Sequence, residues 1–301
     1  MSQTWEWATG SVPGVDHVVC GKPNQDACRI GFFRDGENEF LCGVVCDGCS
    51  ESPGSGVGAA IVSQAIVNNL LTMRCQSDWT LAEPLSIFFK FFQIRLENVV
   101  RSALSVMGYM DDDLEYGVYA HFLCTVIGFW LDKDDVVIFG CGDGVWGVNG
   151  DVRVLGPHPG NQPPFFVYNS LLHSSIEPKQ ARVHLIRNFS ANLVETLVIG
   201  SDGVGDLLEI GDRAFPGSDE PVGPVDDLWR DDRFYANKDG LRRHFFKAAR
   251  TVTKLDRETG RVRRYNGLLP DDTTAIVVRR IKGEEGDDNA KGLCGQEQEA
   301  G

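Results

Sequence analysis

The first uninterrupted apolar run in the chain, Phe40 to Cys46 (FLCGVVC), stops abruptly at Asp47-Gly48. A short apolar run closed by a turn pair predicts a buried strand. A Gly/Ser-containing turn (ESPGSG) follows, and residues 57–71 then place Val57, Ile61, Ala65 and Leu71 on one helical face. The local unit is strand, Asp-Gly turn, helix. A second helix is announced by the capping box Thr80-Leu81-Ala82-Glu83, with Pro84 inside the first turn where its missing N–H is tolerated. It runs to about Met107, with Leu85, Phe88, Phe89, Phe92, Leu96, Val99, Val100, Ala103 and Met107 recurring at threes and fours. Lys90, Arg95, Glu97 and Arg101 interrupt the run, so the helix is amphipathic and packs on a core.

From residue 118 the period shortens. VYAHFLCTVIGFWL, VVIFGCG and VWGVNGDVRVL predict strands of an antiparallel sheet, the last two-stranded around an Asn149-Gly150 hairpin turn. Residues 157–170 carry four prolines and predict a surface loop or flap. Glu195 to Ile199 predicts a strand ending at Gly200-Ser201-Asp202-Gly203, residues 211–238 an Asp/Pro/Gly-rich excursion, and 239–255 a basic helix. The last strand is Thr273 to Ile281, introduced by Pro270-Asp271-Asp272. There is no internal repeat. Strands and helices in this order predict an α+β fold, with sheets covered by helices.

Composition narrows the picture. Of 301 residues 42% are hydrophobic and 24% charged, enough to bury a large core. The net charge is -14, which repels nucleic-acid backbones and argues against such a partner. Residues 283–301 hold six acids and one lysine and predict a disordered acidic tail beyond a domain of residues 1–282. No basic-then-apolar amino terminus and no uninterrupted apolar run of about 18 residues is present, so neither a secretory signal nor a membrane span is expected. Nine cysteines without paired zinc spacing read as reduced thiols of a cytoplasmic protein.

The candidate chemistry lies in aspartates. Asp47 follows FLCGVVC, Asp143 follows VVIFGCG, Asp202 follows TLVIGS, and Asp271 precedes TTAIVV; Asp26 stands between Asn24-Gln25 and the strand-like Ala27-Cys28-Arg29-Ile30. Any one Asp-Gly is by itself an ordinary turn pair. Several carboxylates beside buried strands are costly unless paired, hydrogen-bonded or placed on a cation. Oxygen ligands without histidine or cysteine clusters indicate a hard ion, magnesium or manganese.

Asn24-Gln25-Asp26, Val45-Cys46-Asp47-Gly48, Gly142-Asp143, Ser201-Asp202-Gly203-Val204-Gly205-Asp206 and Asp271-Asp272-Thr273-Thr274 occur in the order and approximate separation found in the type 2C metal-dependent serine/threonine protein phosphatases. The stretch Gly14 to Ala27 (GVDHVVCGKPNQDA) resembles the bacterial branch. The resemblance spans residues 5–281. It implies a four-layer α/β/β/α sandwich, two antiparallel sheets face to face with helices outside. It implies two Mn2+ or Mg2+ ions and a weaker third. Asp47 resembles the carboxylate bridging two metals, Gly48 supplies a carbonyl ligand, Asp202 and Asp271 complete the first metal, and Asp26 serves the second. Asp143 and Asp206 resemble the pair holding the third. The implied reaction is hydrolysis of protein phosphoserine or phosphothreonine by a metal-bridging hydroxide, with a phosphoprotein substrate and a cognate Ser/Thr kinase as candidate partners.

Two departures stand out. Where many members carry a phosphate-gripping arginine this chain has Gly21, which leaves Lys22 or His17 as candidate substrate-binding groups, without the bidentate fork of arginine. Where some relatives carry histidine after the Asp-Gly pair it has Cys49, so the leaving-group acid is unassigned. The alternatives are a catalytically dead binding module of this fold and a phosphatase of small molecules. The remaining features read as structure: Asp111-Asp112-Asp113 as a solvated loop, Gly54 to Gly58 as a close-packed turn, and Arg242, Arg243, His244, Lys247, Arg250 and Lys254 as a solvated helix face.

Overall fold

The computed structural model describes residues 4–36, 38–75, 85–255, 257 and 259–281. The acidic tail and the Thr80–Glu83 capping box lie outside them. One sheet contains β2 (Ala27–Asp35), β3 (Asn38–Cys46), β4 (Val126–Leu131), β5 (Asp135–Cys141) and β8 (His184–Ser190), adjacent in that order. The other has the order β1 (Thr4–Val12), β12 (Thr273–Ile281), β9 (Thr196–Gly200), β6 (Gly144–Val148) and β7 (Asp151–Leu155). Every pairing in both is antiparallel.

Three apolar layers hold these sheets between helices. Between the sheets, Leu41 and Val45 of β3 meet Phe129 and Ile138 on their own sheet and Leu197, Ile199, Ile276 and Val278 from the other. On the outer face of β3, Phe40, Cys42, Val44 and Cys46 pack under α2 (Ser55–Cys75) and α3 (Leu85–Met107). This two-sided burial is why β3 reads as a continuous apolar run. On the far side, α8 (Gly240–Ala249) buries Leu241, Phe245 and Ala248 against β1 and β12, next to Val204 and Leu207 of α5 (Gly203–Ile210). The result is the expected α/β/β/α sandwich. By length and composition α2 could cross a membrane, but Ala59, Val62, Ile66 and Leu70 are buried in this core. All eight cysteines among the described residues are free thiols.

The hairpin at Asn149-Gly150 forms as expected, with φ of 53° and 85° at the two turn residues, the left-handed pair this turn demands. Gly54 to Gly58 is close-packed as read: a Cβ on Gly58 would sit 1.8 Å from the His121 carbonyl oxygen.

Other expectations fail locally. Residues 118–121 belong to a helix, α4 (Leu114–His121), and the strand begins only at Val126. Val118 and Ala120 are buried while Tyr116 and Tyr119 face solvent, a helical rather than alternating pattern that eight residues did not make legible. Asp111 to Asp113 form an exposed 3-10 turn leading into this helix. The basic helix ends at Ala249, and Val252–Leu255 (β10) instead pairs with Val262–Tyr265 (β11). The 157–170 segment is not wholly on the surface, since Phe165, Phe166 and Val167 are buried beside α3, where Gln93 donates to the Phe166 carbonyl at 2.7 Å. The 211–238 excursion carries two short helices, α6 (Asp227–Arg230) and α7 (Asp232–Ala236), whose Leu228, Trp229 and Phe234 cover the second sheet.

Candidate active site

Antiparallel register decides where the aspartates meet. β3, β5 and β9 end, and β2 and β12 begin, at the same end of the sandwich. Asp47, Asp143 and Asp202 follow the three strand ends, and Asp26 and Asp271 precede the two strand beginnings. A cleft of about 400 Å³ opens there, lined by Asp16, His17, Cys20, Lys22, Ser50, Asp202, Asp206, Pro270 and Asp271.

The carboxylates feel one another. Burial pushes Asp47 well above the usual carboxylate range, and the charges of Asp26, Asp202, Asp271 and Asp143 push it further. Burial lifts Asp26 to about 7, the Ser201 and Thr274 hydroxyls restrain the rise, and the charges of Asp272 and Asp202 add to it. Asp143 stands at about 6, raised by burial and by Asp202, and His158 from the flap segment restrains it. Asp202 and Asp206 are raised as well, by burial first and then by Asp271 and Asp202 respectively. A hydrogen bond from the Asp47 carboxyl tempers the rise at Asp202, as expected of two carboxyls sharing a proton.

Asp26 provides the clearest test of whether these residues fit a cation. It is only 9% exposed, and both carboxylate oxygens are buried without a hydrogen-bond donor. Its backbone is fixed nonetheless: its N–H donates to Asn24 Oδ1 at 3.0 Å, and Asn24 Nδ2 donates to Ser11 Oγ at 2.8 Å. An anchored, desolvated carboxylate facing others without donors is a ligand set suited to a hard divalent ion.

Asp272, which sequence reasoning passed over, behaves in the opposite way. It is 3% exposed and accepts from the N–H groups of Gly14 at 2.9 Å and Gln25 at 2.6 Å. Gln25 in turn donates through Nε2 to the Ser52 carbonyl at 2.9 Å and to Ser55 Oγ at 2.6 Å, tying the Asn-Gln-Asp segment to the loop after Asp47. The signal in the sequence was the doubled aspartate, of which one member turns inward and one outward.

His17 is buried on α1 (Val15–Cys20), its Nδ1 2.9 Å from Asp272 Oδ1 and its Nε2 3.6 Å from Asp271 Oδ1. Ligand atoms of His17, Asp271 and Asp272 lie within 4.8 Å of one another. Lys22 reaches over the cleft wall, and its Nζ donates to the Ser50 carbonyl at 2.8 Å. Gly48 is clamped: a Cβ there would lie 2.7 Å from the Gln25 carbonyl oxygen and 2.8 Å from Ser55 Oγ. Cys49 donates its N–H to the Leu123 carbonyl, which fixes the turn beside Asp47.

A family model for protein phosphatase 2C matches residues 13–254. The chain belongs to the protein phosphatase 2C family. No curated protein matches it. Among solved structures it is similar to the serine/threonine phosphatase Stp1 from Staphylococcus aureus, at 14% identity and a TM-score of 0.47, over 94% of this chain and 97% of that one. It is also similar to the catalytic domain of the serine threonine protein phosphatase PstP in complex with two manganese ions, at 13% identity and a TM-score of 0.43, over 93% and 100% of the two chains. Protein phosphatase activity and a requirement for metal are general properties of the family. In this member, the paired strand ends supply the carboxylates, and the glycines of the motifs allow close approach. A Cβ on Gly203 would sit 2.3 Å from the Asp272 carbonyl oxygen, so only glycine lets α5 start against the strand that carries Asp271.

Proposed function

We propose that this chain hydrolyses phosphoserine and phosphothreonine in proteins, with two Mg2+ or Mn2+ ions and a weaker third. The observation that carries the reading is Asp26, a buried carboxylate with no hydrogen-bond partner at either oxygen, which feels the charge of Asp202 and whose own charge acts on Asp47. Asp47, with the Gly48 carbonyl, would serve two ions; Asp202 and Asp271 would hold one, Asp26 the other, and Asp143 with Asp206 the third. Bound there, the ions supply Lewis-acid stabilisation of the phosphoryl group and a water acidic enough to attack near neutral pH. Asp272 and Gln25 hold the Asp26 and Asp47 loops in mutual register, and Lys22 and His17 flank the entry for a phosphate. The free thiols fit a reducing compartment, the cytoplasm. A cognate Ser/Thr kinase would supply the substrate.

The binding-module alternative draws on one observation, that Lys22 is the only lysine or arginine lining the cleft among the described residues and is held by the Ser50 carbonyl. Hydrolysis of p-nitrophenyl phosphate and of a phosphothreonine peptide, with manganese and with EDTA, decides between them. Manganese-dependent release of phosphate from both is expected. Manganese binding by calorimetry without any turnover would establish the binding module instead.

A further inference from the structure

The β10–β11 hairpin is a strongly cationic element of an acidic chain. Residues 250–265 hold six arginines and lysines against two carboxylates, in a chain of net charge -14. Most cations of the preceding segment are paired with carboxylates. Arg230 meets Asp226, Arg233 meets Asp231, Arg242 and Arg243 meet Asp239, and Lys247 meets Glu220. Arg250, Lys254, Arg261 and Arg264 have no carboxylate partner among the described residues, and all are exposed.

The hairpin has one packed face and one open face. Pairing of Val252 with Tyr265 and of Lys254 with Arg263 puts these residues on one side, where Val252, Lys254 and Tyr265 approach Gly217. The other side carries Thr253, Leu255, Val262 and Arg264, with Leu255 63% and Val262 68% exposed. Leu255 and Val262 beside the exposed Arg264 guanidinium, with Arg261 next to them in the chain, form a surface for a partner that is acidic and partly apolar.

Its position ties this surface to the cleft. After Tyr265 the chain is bolted to α1: the Leu269 and Pro270 carbonyls accept from the N–H groups of Val15 at 2.9 Å and Asp16 at 3.0 Å. Pro270 and Asp271 then line the cleft itself. Seven residues separate Arg264 from Asp271, a reach of at most about 24 Å, which an extended peptide covers in about seven residues.

We propose that this hairpin docks the acidic segment of a phosphoprotein substrate, its carboxylates or second phosphate lying on Arg264 of the open face and on Arg261 just before β11, while the scissile phosphoryl group enters the cleft. The inference rests on the phosphatase reading. It answers a difficulty of that reading, since a cleft walled by aspartates repels an acidic phosphopeptide and cations beyond the wall offset the repulsion.

The test compares three phosphoserine peptides that differ about seven residues from the phosphoserine, where they carry glutamates, alanines or lysines. For each, kcat/KM is taken as a ratio to that for p-nitrophenyl phosphate, and binding is followed by fluorescence anisotropy in EDTA, where turnover plays no part. In the Arg261→Glu/Arg264→Glu protein the ratio and the affinity for the glutamate peptide fall by about tenfold, the alanine peptide is unaffected, and the lysine peptide gains. The milder Arg261→Gln/Arg264→Gln protein shows a smaller loss of the same sign. Equal behaviour of wild-type and variant proteins toward the glutamate peptide overturns the inference. So does a loss confined to binding of phosphatidylserine vesicles, which would make the face a membrane contact. Failure of all phosphates to be hydrolysed with manganese would instead refute the phosphatase reading, with anisotropy still deciding the hairpin's role.

Discussion

Replacing Asp26 by asparagine should stabilise the metal-free protein while crippling the metal-loaded one. The carboxyl is buried without donors and its pKa is raised from 3.8 to about 7. A raised folded-state value means that the folded protein binds a proton the unfolded chain has released. Stability therefore falls as pH rises from about 4 to about 7, and the full cost is present above that window. A shift of this size corresponds to about 4 kcal/mol at pH 8. Asparagine removes the charge but leaves a buried amide without partners, which returns about 1–3 kcal/mol of that gain. The net is about 1–3 kcal/mol of added stability, or about 2–6 °C in Tm for a domain of this size.

The assay is thermal unfolding in EDTA at pH 8 and at pH 5, repeated at pH 8 with manganese. The variant should melt above wild type in EDTA at pH 8, and the difference should shrink or reverse at pH 5. Manganese should raise wild type more, because ligand binding to the folded state adds stability only where the site is intact. A variant that melts below wild type in EDTA at pH 8 would refute the reasoning, because it would show that the Asp26 carboxylate is satisfied by the protein itself.

Asp272→Ala should behave oppositely, losing about 2–4 kcal/mol with or without manganese because the Gly14 and Gln25 N–H groups lose their buried acceptor; urea unfolding measures it. Asp47→Asn, Asp202→Asn and Asp271→Asn should each lower kcat/KM by several kcal/mol of transition-state stabilisation, and Asp143→Asn by less, in turnover titrated with manganese on variants shown folded by circular dichroism. Gln93→Leu should cost about 2–4 kcal/mol in urea unfolding, since it strands the Phe166 carbonyl and the Val183 N–H that now bond to its amide. Gly203→Ala should depress turnover more than its roughly 1–3 kcal/mol loss of stability suggests, because relieving the clash with the Asp272 carbonyl moves the start of α5 and with it Asp202 and Asp206.

Much of the sandwich was legible because its central strands are buried on both faces. β3, β4 and β5 leave almost no polar side chain along their length, so a continuous apolar run marks each of them. The edge strands were harder. β1 buries Trp5 and Ala8 on opposite faces and mixes them with Glu6 and Thr9, and β8 exposes five of its seven residues. Helix α4 was lost for a related reason, since its eight residues run into the apolar Phe122–Thr125 connection, and the two together imitate a strand. The β10–β11 hairpin continues the apolar spacing of α8 through Val252 and Leu255. Only tertiary placement at Gly217 shows those two residues on opposite faces of a ribbon.

The aspartates set a limit of another kind. Asp26, Asp47 and Asp272 share one signature, a carboxylate beside a buried strand, and nothing in the spacing separates a residue that serves the backbone from one that serves an ion. The difference lies in donors. Backbone N–H groups of Gly14 and Gln25, contributed by residues some 250 positions away, converge on Asp272 and complete its shell. The oxygens of Asp26 have no partner at normal hydrogen-bond geometry, and the Ser201 and Thr274 hydroxyls only temper its charge. Protein donors therefore satisfy Asp272 and leave Asp26 without a hydrogen bond, a difference that the tertiary register creates and the spacing does not show. The charges of Asp26, Asp202, Asp271 and Asp143 all raise Asp47, so the convergence that gathers these acids stores a cost that a bound cation would relieve.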